Sequence, residues 1–414
     1  MRILFATIGS LGDLHPCLGL GTELKRRGHS VVIASTEAYR SRILERGLIF
    51  HSLRPNWNPA DSELIRQCED LKSGPEILFR KLILPHLEDT YADLSSAAKE
   101  CDLLLAGELV YAAPLVAEKL RLRWGSIILS PCSFLSAYDP SVLVNMPQLI
   151  WLRNAGPSIN RAFLTIGTRL TRHWWEPVKR LRLKEDLRPD CAPLTRDKFS
   201  PNLVLALFSA VFAKRQPDWP AHTVQTGFAF YDGSVMDVDL PELTSFLAAG
   251  EPPIVFTLGS TAVSHPGNFY QASAEAALRL GKRAVLIGSG DVRMDSSQIL
   301  EIPYAPYSVV FPHASVIVHQ GGSGTTGQAM RAGRPMLFVP FGWDQPDNAA
   351  RIERLGAGLS IARNKYSTDT AYKMLKRLLN KASFAERAAA LGQALAMQNG
   401  IQEACDAVEG LVYV

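Results

Sequence analysis

Three short stretches hold the residues with the most chemistry to offer. The first is Val318-His319-Gln320-Gly321-Gly322-Ser323-Gly324-Thr325-Thr326. An apolar run ends there, glycines turn the chain, and the pattern predicts a helix beginning near Thr325. The first turn of a helix leaves N–H groups unpaired and carries partial positive charge. Gly321, Gly322 and Gly324 let a phosphate reach those groups with no Cβ in the way. Ser323 and Thr325 add hydroxyl donors, and His319 can donate from a ring nitrogen to a phosphate oxygen. A Gly-rich turn with no ligand is the plainer reading, but such a turn needs neither a His nor several hydroxyls. No Lys follows the glycines, so the stretch is not a Walker A loop.

The second stretch, Pro340-Phe341-Gly342-Trp343-Asp344-Gln345-Pro346-Asp347-Asn348-Ala349, follows another apolar run. Asp344 and Gln345 offer side chains that can clasp vicinal sugar hydroxyls; the plainer reading has Asp344 or Asp347 cap the next helix, and of the two Asp347 reads as the cap and Asp344 as the ligand. The third, Gly9-Ser10-Leu11-Gly12-Asp13-Leu14-His15-Pro16, lies close to the N-terminus. Pro16 suits a first helical turn, which predicts a helix over 16–27. Asp13 reads either as its N-cap or as a general base that takes a hydroxyl proton. His15 is the rival base, with an ordinary pKa nearer neutrality. The loop alone leaves the choice between Asp13 and His15 open.

Alternating strands and helices must position these stretches. Residues 3–7, 30–35, 103–106 and 124–129 are apolar runs, and the pattern restarts at 254–258, 284–287, 316–319 and 336–339. The runs are apolar throughout rather than alternating, as in strands buried on both faces of a parallel sheet. Helical patterns fall between them, among them 268–280 and 348–355. The expected architecture is α/β: two Rossmann-like, doubly wound domains facing a cleft, with ligands at the carboxyl ends of the strands. The expected division is an N-terminal acceptor-binding domain over 1–226, a polar linker over 227–253 and a C-terminal donor-binding domain over 254–395. A last helix over 396–414 would pack back on the first domain.

The balance of 47% hydrophobic and 20% charged residues suits a globular protein rather than a disordered chain. The net charge of +4 is spread out, with no nucleic-acid-binding motif. Six cysteines (Cys17, Cys68, Cys101, Cys132, Cys191, Cys405) without a C-x-x-C pair read as reduced thiols. The N-terminal strand runs into a Gly turn rather than a signal cleavage site, and the apolar stretch Leu203 to Ala213 is too short to span a bilayer. The expected location is the cytoplasm. Residues 151–188 differ in composition, with Arg153, Arg161, Arg169 and Arg172 among Trp151, Phe163, Trp174 and Trp175. They read as an excursion with a solvated basic face; the alternative is a weak peripheral membrane contact. Trp57, Phe79, Phe134, Tyr138, Met146 and Trp151 suggest an apolar or phenolic acceptor.

The motifs together resemble family 1 glycosyltransferases of the GT-B fold over nearly the whole chain. The resemblance rests on the Gly9-Ser10-Leu11-Gly12-Asp13 loop, Arg26-Arg27-Gly28-His29-Ser30-Val31, the His319 glycine loop and the run Asp344 to Ala349. It is nearest to bacterial members of the rhamnolipid-type rhamnosyltransferase branch and to sterol and phenolic glycosyltransferases. Phe212-Ala213, Asp218-Trp219-Pro220, and Thr226-Gly227-Phe228 with Asp232-Gly233-Ser234 carry that part of the likeness.

The resemblance implies direct displacement with inversion, no metal and no cofactor, with Asp13 as the base in this branch. It also implies a nucleotide-diphosphate sugar donor, dTDP- or UDP-linked, and a hydrophobic or phenolic hydroxyl acceptor. Gly12 and Ser260 would lie at the donor phosphates and Tyr304 would stack on the base. Relatives specific for uridine nucleotides place a Glu on the ribose at the position of Gln328. An amide accepts from a diol less strongly than a carboxylate does, which keeps a dTDP donor in view. Asp237-Val238-Asp239 reads as linker charge rather than a metal-binding motif. A nucleotide-sugar epimerase and a non-catalytic accessory subunit are the competing functions.

Overall fold

The computed structural model describes residues 1–58, 61–70, 72–143, 146–233, 240–290, 292 and 296–411, and among these the chain forms two compact units. The first holds residues 1–61, 72–231 and the C-terminal segment from Asn399; the second holds residues 232–398 and the helix Ser62–Cys68.

Unit 1 is built on a seven-stranded sheet. Its strands are β1 (Arg2–Ala6), β2 (Ser30–Ser35), β3 (Ile49–Ser52), β4 (Leu103–Gly107), β5 (Arg123–Ile128), β6 (Leu203–Ala206) and β7 (Thr223–Gln225). They run parallel in the order β3-β2-β1-β4-β5-β6-β7. Ile3 pairs with Val31 on one side and Leu103 on the other. Ile3, Leu4 and Phe5 are wholly buried, because helices cover both faces of the sheet.

Unit 2 has six parallel strands: β8 (Ile254–Thr257), β9 (Ala284–Ile287), β10 (Ile299–Ile302), β11 (Val316–His319), β12 (Met336–Phe338) and β13 (Gly358–Ser360). Their order is β10-β9-β8-β11-β12-β13.

Each sheet has a point where the strand order reverses, and it decides where ligands can bind. In unit 1 it lies between β1 and β4; in unit 2, between β8 and β11. Loops leaving neighbouring strands there diverge to opposite faces and open a crevice at the strand ends. The Gly9–Asp13 loop leaves β1, and the His319 glycine loop leaves β11.

Two expected helices begin elsewhere. The first spans Leu11–Arg26, so Pro16 is inside it rather than at its start. Ser10 is the N-cap: its Oγ accepts from Gly12 N at 3.1 Å, while Asp13 Oδ2 accepts from Ser10 N at 2.8 Å. This reciprocal pair starts the helix five residues earlier than Pro16 would, and makes Asp13 the third helical residue rather than the cap. Helix Gln345–Leu355 is entered at Asp344, so Asp347 is not its cap. Asp347 instead pairs with Arg351 at 2.7 Å, both wholly buried.

The stretch expected as linker contains the helix Pro241–Ala248, which belongs to unit 2. Ser234 and Asp237-Val238-Asp239 lie outside the described residues. The last helix, Gly400–Gly410, sends Ala404, Cys405 and Val408 into the core of unit 1. Arg27 holds it through Asp406 (2.6 Å) and Glu409 (2.7 Å), with His29 also on Glu409 (2.8 Å).

The basic excursion folds as helices Pro157–Leu170 and Glu176–Lys184 within unit 1. Asn160 is buried and donates to the Ala137 carbonyl at 2.8 Å. Phe163 and Leu164 border a crevice with Leu135, Pro140, Leu143 and Leu152. Arg161, Arg169 and Arg172 are exposed to solvent as expected, but Ile159, Ile166 and Leu170 are exposed beside them.

Candidate active site

The His319 loop is built around one imidazole. Strand β11 carries His319 to its carboxyl end, where the ring is wholly buried against Phe338, with ring centroids 4.5 Å apart. Gly321 N donates to Nδ1 at 3.1 Å. Nδ1 is therefore the acceptor and the proton of the neutral ring sits on Nε2. Burial holds the His319 pKa down at about 3, so the ring is neutral at neutral pH. Nε2 is buried and has no protein partner among the described residues. A buried donor without a partner is costly, and a ligand oxygen would relieve it.

The glycines make room around that donor. Gly321 has φ +101°, and a Cβ there would press on Phe338 and the Gln345 carbonyl at 3.0 and 3.1 Å. Gly324 has nothing within 4 Å of where its Cβ would be, so the first turn of helix Ser323–Arg331 is open on that side. This helix begins at Ser323, two residues before Thr325, with Gly322 as its N-cap. Thr325 is buried, and Tyr307 OH pairs with Thr257 Oγ1 at 2.9 Å. Ser260 is exposed in the turn after β8.

Gln320, not singled out from the sequence, sits between these loops. Its amide fills the space where Gly259, at φ +68°, and Gly322 lack a Cβ, and its Oε1 is buried with no partner among the described residues. Its place inside the glycine run was the available signal.

The loop after β12 is held from within. Gln345 is buried, and its Oε1 accepts from Phe341 N at 2.6 Å and Gly342 N at 3.0 Å. That oxygen is committed to the turn, so what Gln345 can offer a sugar is its amide N–H. Asn348 bridges the two loops, donating to the Gly321 carbonyl at 2.9 Å and to Asp344 Oδ2 at 2.8 Å. Trp343, between Gly342 and Asp344, has φ +58°, a strained value for an aromatic residue.

In unit 1, Asp13 is half-buried at the β1 end. Oδ2 takes both Ser10 bonds, from N at 2.8 Å and Oγ at 3.2 Å. Gly9, at φ +143°, makes this fit: a Cβ would stand 2.2 Å from Asp13 Oδ2. Burial first, and then the negative charge of Glu108, raise the Asp13 pKa to about 6 despite the opposing Ser10 bonds. Glu108 follows β4 across the same reversal point and is bound by Ser133 Oγ at 2.6 Å. It too was missed, although it directly follows a buried strand. His15 lies against Tyr231 with ring centroids 5.4 Å apart. Burial and the nearby Arg42 lower its pKa to about 4. Gly12 is exposed beside Ser10.

Comparison with known proteins decides the family. Residues 3–123 match the glycosyltransferase family 28 N-terminal domain, and residues 290–411 the erythromycin biosynthesis protein CIII-like C-terminal domain. O-mycaminosyltylonolide 6-deoxyallosyltransferase of Streptomyces fradiae is 30% identical over 99% of this chain and 97% of its own. The chain is a family 1 glycosyltransferase of the GT-B fold.

Sterol 3-beta-glucosyltransferase of Pichia angusta is 25% identical over 98% of the glycosyltransferase, which spans 33% of that relative's length. The solved structure of glycosyltransferase VinC in complex with dTDP covers all of both chains at 21% identity with a TM-score of 0.69, a likeness of fold. The relatives are transferases by name, which favours transfer over the epimerase and accessory readings.

The remaining candidates divide. Tyr304 is 57% exposed, free to meet a planar ligand. Gln328 is buried on the Ser323–Arg331 helix, and its Nε2 donates to Asp232 Oδ1 at 2.7 Å. Arg331 meets the other oxygen of Asp232 at 3.4 Å. The Asp232 carboxylate thus reaches Gln328 from 96 residues away. No local pattern could reveal that.

Of the six apolar residues suggested for the acceptor, Phe134 is core, stacked on Trp219 at 4.0 Å. Phe79 joins a cluster with Tyr111, Trp174 and Trp175. Trp57 is half-buried, and Tyr138, Met146 and Trp151 are exposed. Among the described residues no cluster of three His, Cys, Asp or Glu side chains could hold a metal ion. No helix among them is long and apolar enough to cross a membrane.

Proposed function

We propose that this glycosyltransferase works in the cytoplasm. It moves a hexosyl group, rhamnosyl or glucosyl, from a dTDP- or UDP-sugar to a hydroxyl of an apolar or aromatic small molecule, with inversion. The observation that carries the reading is the unpartnered Nε2–H of His319 beside an open helix N-terminus. A buried neutral donor and a row of backbone N–H groups suit a diphosphate that gains charge as it leaves.

Asp13 is the base. Its Oδ1 accepts the acceptor's hydroxyl proton as that oxygen bonds to the anomeric carbon. The bond from that carbon to the diphosphate breaks on the opposite face, and its electron pair leaves with the phosphate oxygen. A carboxylate with a pKa near 6 is ionised at neutral pH yet basic enough to hold the proton. His15, with a pKa near 4, is the weaker candidate. Ser260, Gly12, Ser323 and the loop glycines serve the phosphates, Tyr304 the base, and Asp344 with the Gln345 amide the sugar.

A dTDP-deoxysugar is the favoured donor. The Streptomyces relative is named for a 6-deoxyallosyl group, and VinC was solved with dTDP. The test is mass spectrometry of products from a panel of dTDP- and UDP-sugars against sterol, macrolide and phenolic acceptors. A glycoside formed best from a dTDP-sugar is expected. Neither transfer nor donor hydrolysis with any of them would overturn the proposal.

A further inference from the structure

The exposed side of helix Pro157–Leu170 carries an apolar stripe beside Arg161 and Arg169, where a solvated helix would be polar. Ile159, Ile166 and Leu170 are 52%, 57% and 71% exposed. With Ala162 they recur at spacings of three and four, which places them on one face of the helix. The stripe from 159 to 170 is about 16 Å long. The preceding turn adds Ile150 and Trp151, both more than half exposed.

Charge selects the occupant. Residues 151–188 hold nine Lys and Arg against three acids, although the whole chain is only +4. Part of that charge is used inside the protein. Arg182 is buried on Glu118 at 2.7 Å, and Lys184 pairs with Glu88 at 2.6 Å. Arg161, Arg169 and Arg172 differ: all three are exposed and none has an ion pair among the described residues. The helix itself contains no acid. An unpaired basic set around an uncovered apolar stripe is the pattern of a helix that lies in the plane of an anionic membrane surface. There the aliphatic side chains enter the acyl boundary and the guanidiniums stay with the headgroups.

We propose that helix Pro157–Leu170 docks this enzyme on an anionic lipid bilayer. The proposal is independent of which sugar is transferred and of which residue is the base. It would bring the enzyme to acceptors that partition into lipid.

The test is co-sedimentation with vesicles of phosphatidylglycerol and phosphatidylcholine, beside vesicles of phosphatidylcholine alone. Wild type should sediment with the anionic vesicles at low salt, remain in solution with the neutral ones, and be released by high salt. A triple variant, Ile159→Gln, Ile166→Gln and Leu170→Gln, should bind about tenfold more weakly. A second, Arg161→Gln, Arg169→Gln and Arg172→Gln, should lose about as much, at every salt concentration where wild type binds. Donor hydrolysis by both variants should match wild type, since these side chains are at the surface. No binding of wild type to anionic vesicles would overturn the proposal, as would wild-type binding by both variants. Self-association that the apolar triple variant abolishes, with vesicle binding unchanged, would give the stripe to a second copy and equally overturn it.

Discussion

At the scale of single residues, Asp13 can be tested through its proton. Its raised pKa means that the active, ionised form fills as pH rises through about 6. The kcat/KM profile should therefore carry an acid limb there, and Asp13→Asn should remove it while lowering turnover roughly 100-fold or more. Donor binding by calorimetry should not change. Near-normal turnover in that variant would move the base to His15 or elsewhere. Stability should follow the same group with a definite sign. A carboxyl whose folded-state pKa lies above its unfolded value stabilises most below the unfolded pKa, and the contribution fades as pH climbs through 6. The Tm of wild type relative to Asp13→Asn should thus fall between pH 4 and pH 7. Gln328 needs a paired test, because Asp232 accepts from its amide. Gln328→Glu alone would set two carboxylates against each other, and should weaken UDP and dTDP alike. Adding Asp232→Asn restores a donor to the pair. The double variant should then shift the UDP-to-dTDP affinity ratio toward UDP by roughly fivefold, the worth of exchanging a neutral for a charged acceptor. Calorimetry with both nucleotides reads this directly, and an unchanged ratio would remove Gln328 from the ribose.

Among the elements, the loops leaving β1 and β11 illustrate what a sequence can and cannot disclose. Strands β9 and β11 match the apolar runs 284–287 and 316–319 residue for residue, because central parallel strands must be apolar on both faces. Strands β7 and β13 are three-residue edges, too short for any period to register. The first helix began early because the Ser10–Asp13 capping box outweighed the preference of Pro16 for a first turn. The glycine loop around His319 was legible as local chemistry. The tautomer of its ring was not, since that depends on where Gly321 N points after folding. Gly9 gives the element its own prediction. Gly9→Ala brings a Cβ onto Asp13 Oδ2 and strains a φ of +143°, so the carboxylate must swing away. Turnover should fall nearly as far as in Asp13→Asn, at a stability cost of about 1–2 kcal/mol, with dTDP affinity intact. A fully active Gly9→Ala enzyme would mean that the position of Asp13 Oδ2 is immaterial.

For the whole molecule, the division into units does not follow the order of the chain. Helix Gly400–Gly410 lies beyond all of unit 2 in sequence yet buries Ala404, Cys405 and Val408 in the core of unit 1. Removing residues 399–411 should therefore destabilise unit 1 by several kcal/mol, since it strips apolar core contacts together with the Arg27 ion pairs and the His29–Glu409 hydrogen bond. Differential scanning calorimetry should show a low-temperature transition split from that of unit 2, and a single unshifted transition would refute the assignment. The same helix sets an order of events during synthesis. Residues 232–398 are contiguous, so most of unit 2 can collapse as soon as it clears the ribosome. Unit 1 emerges first but waits, one side of its core uncovered, until residues near 410 have been made. In the cell, the earlier-made half should be the later to become protease-resistant, and the one that needs a chaperone meanwhile.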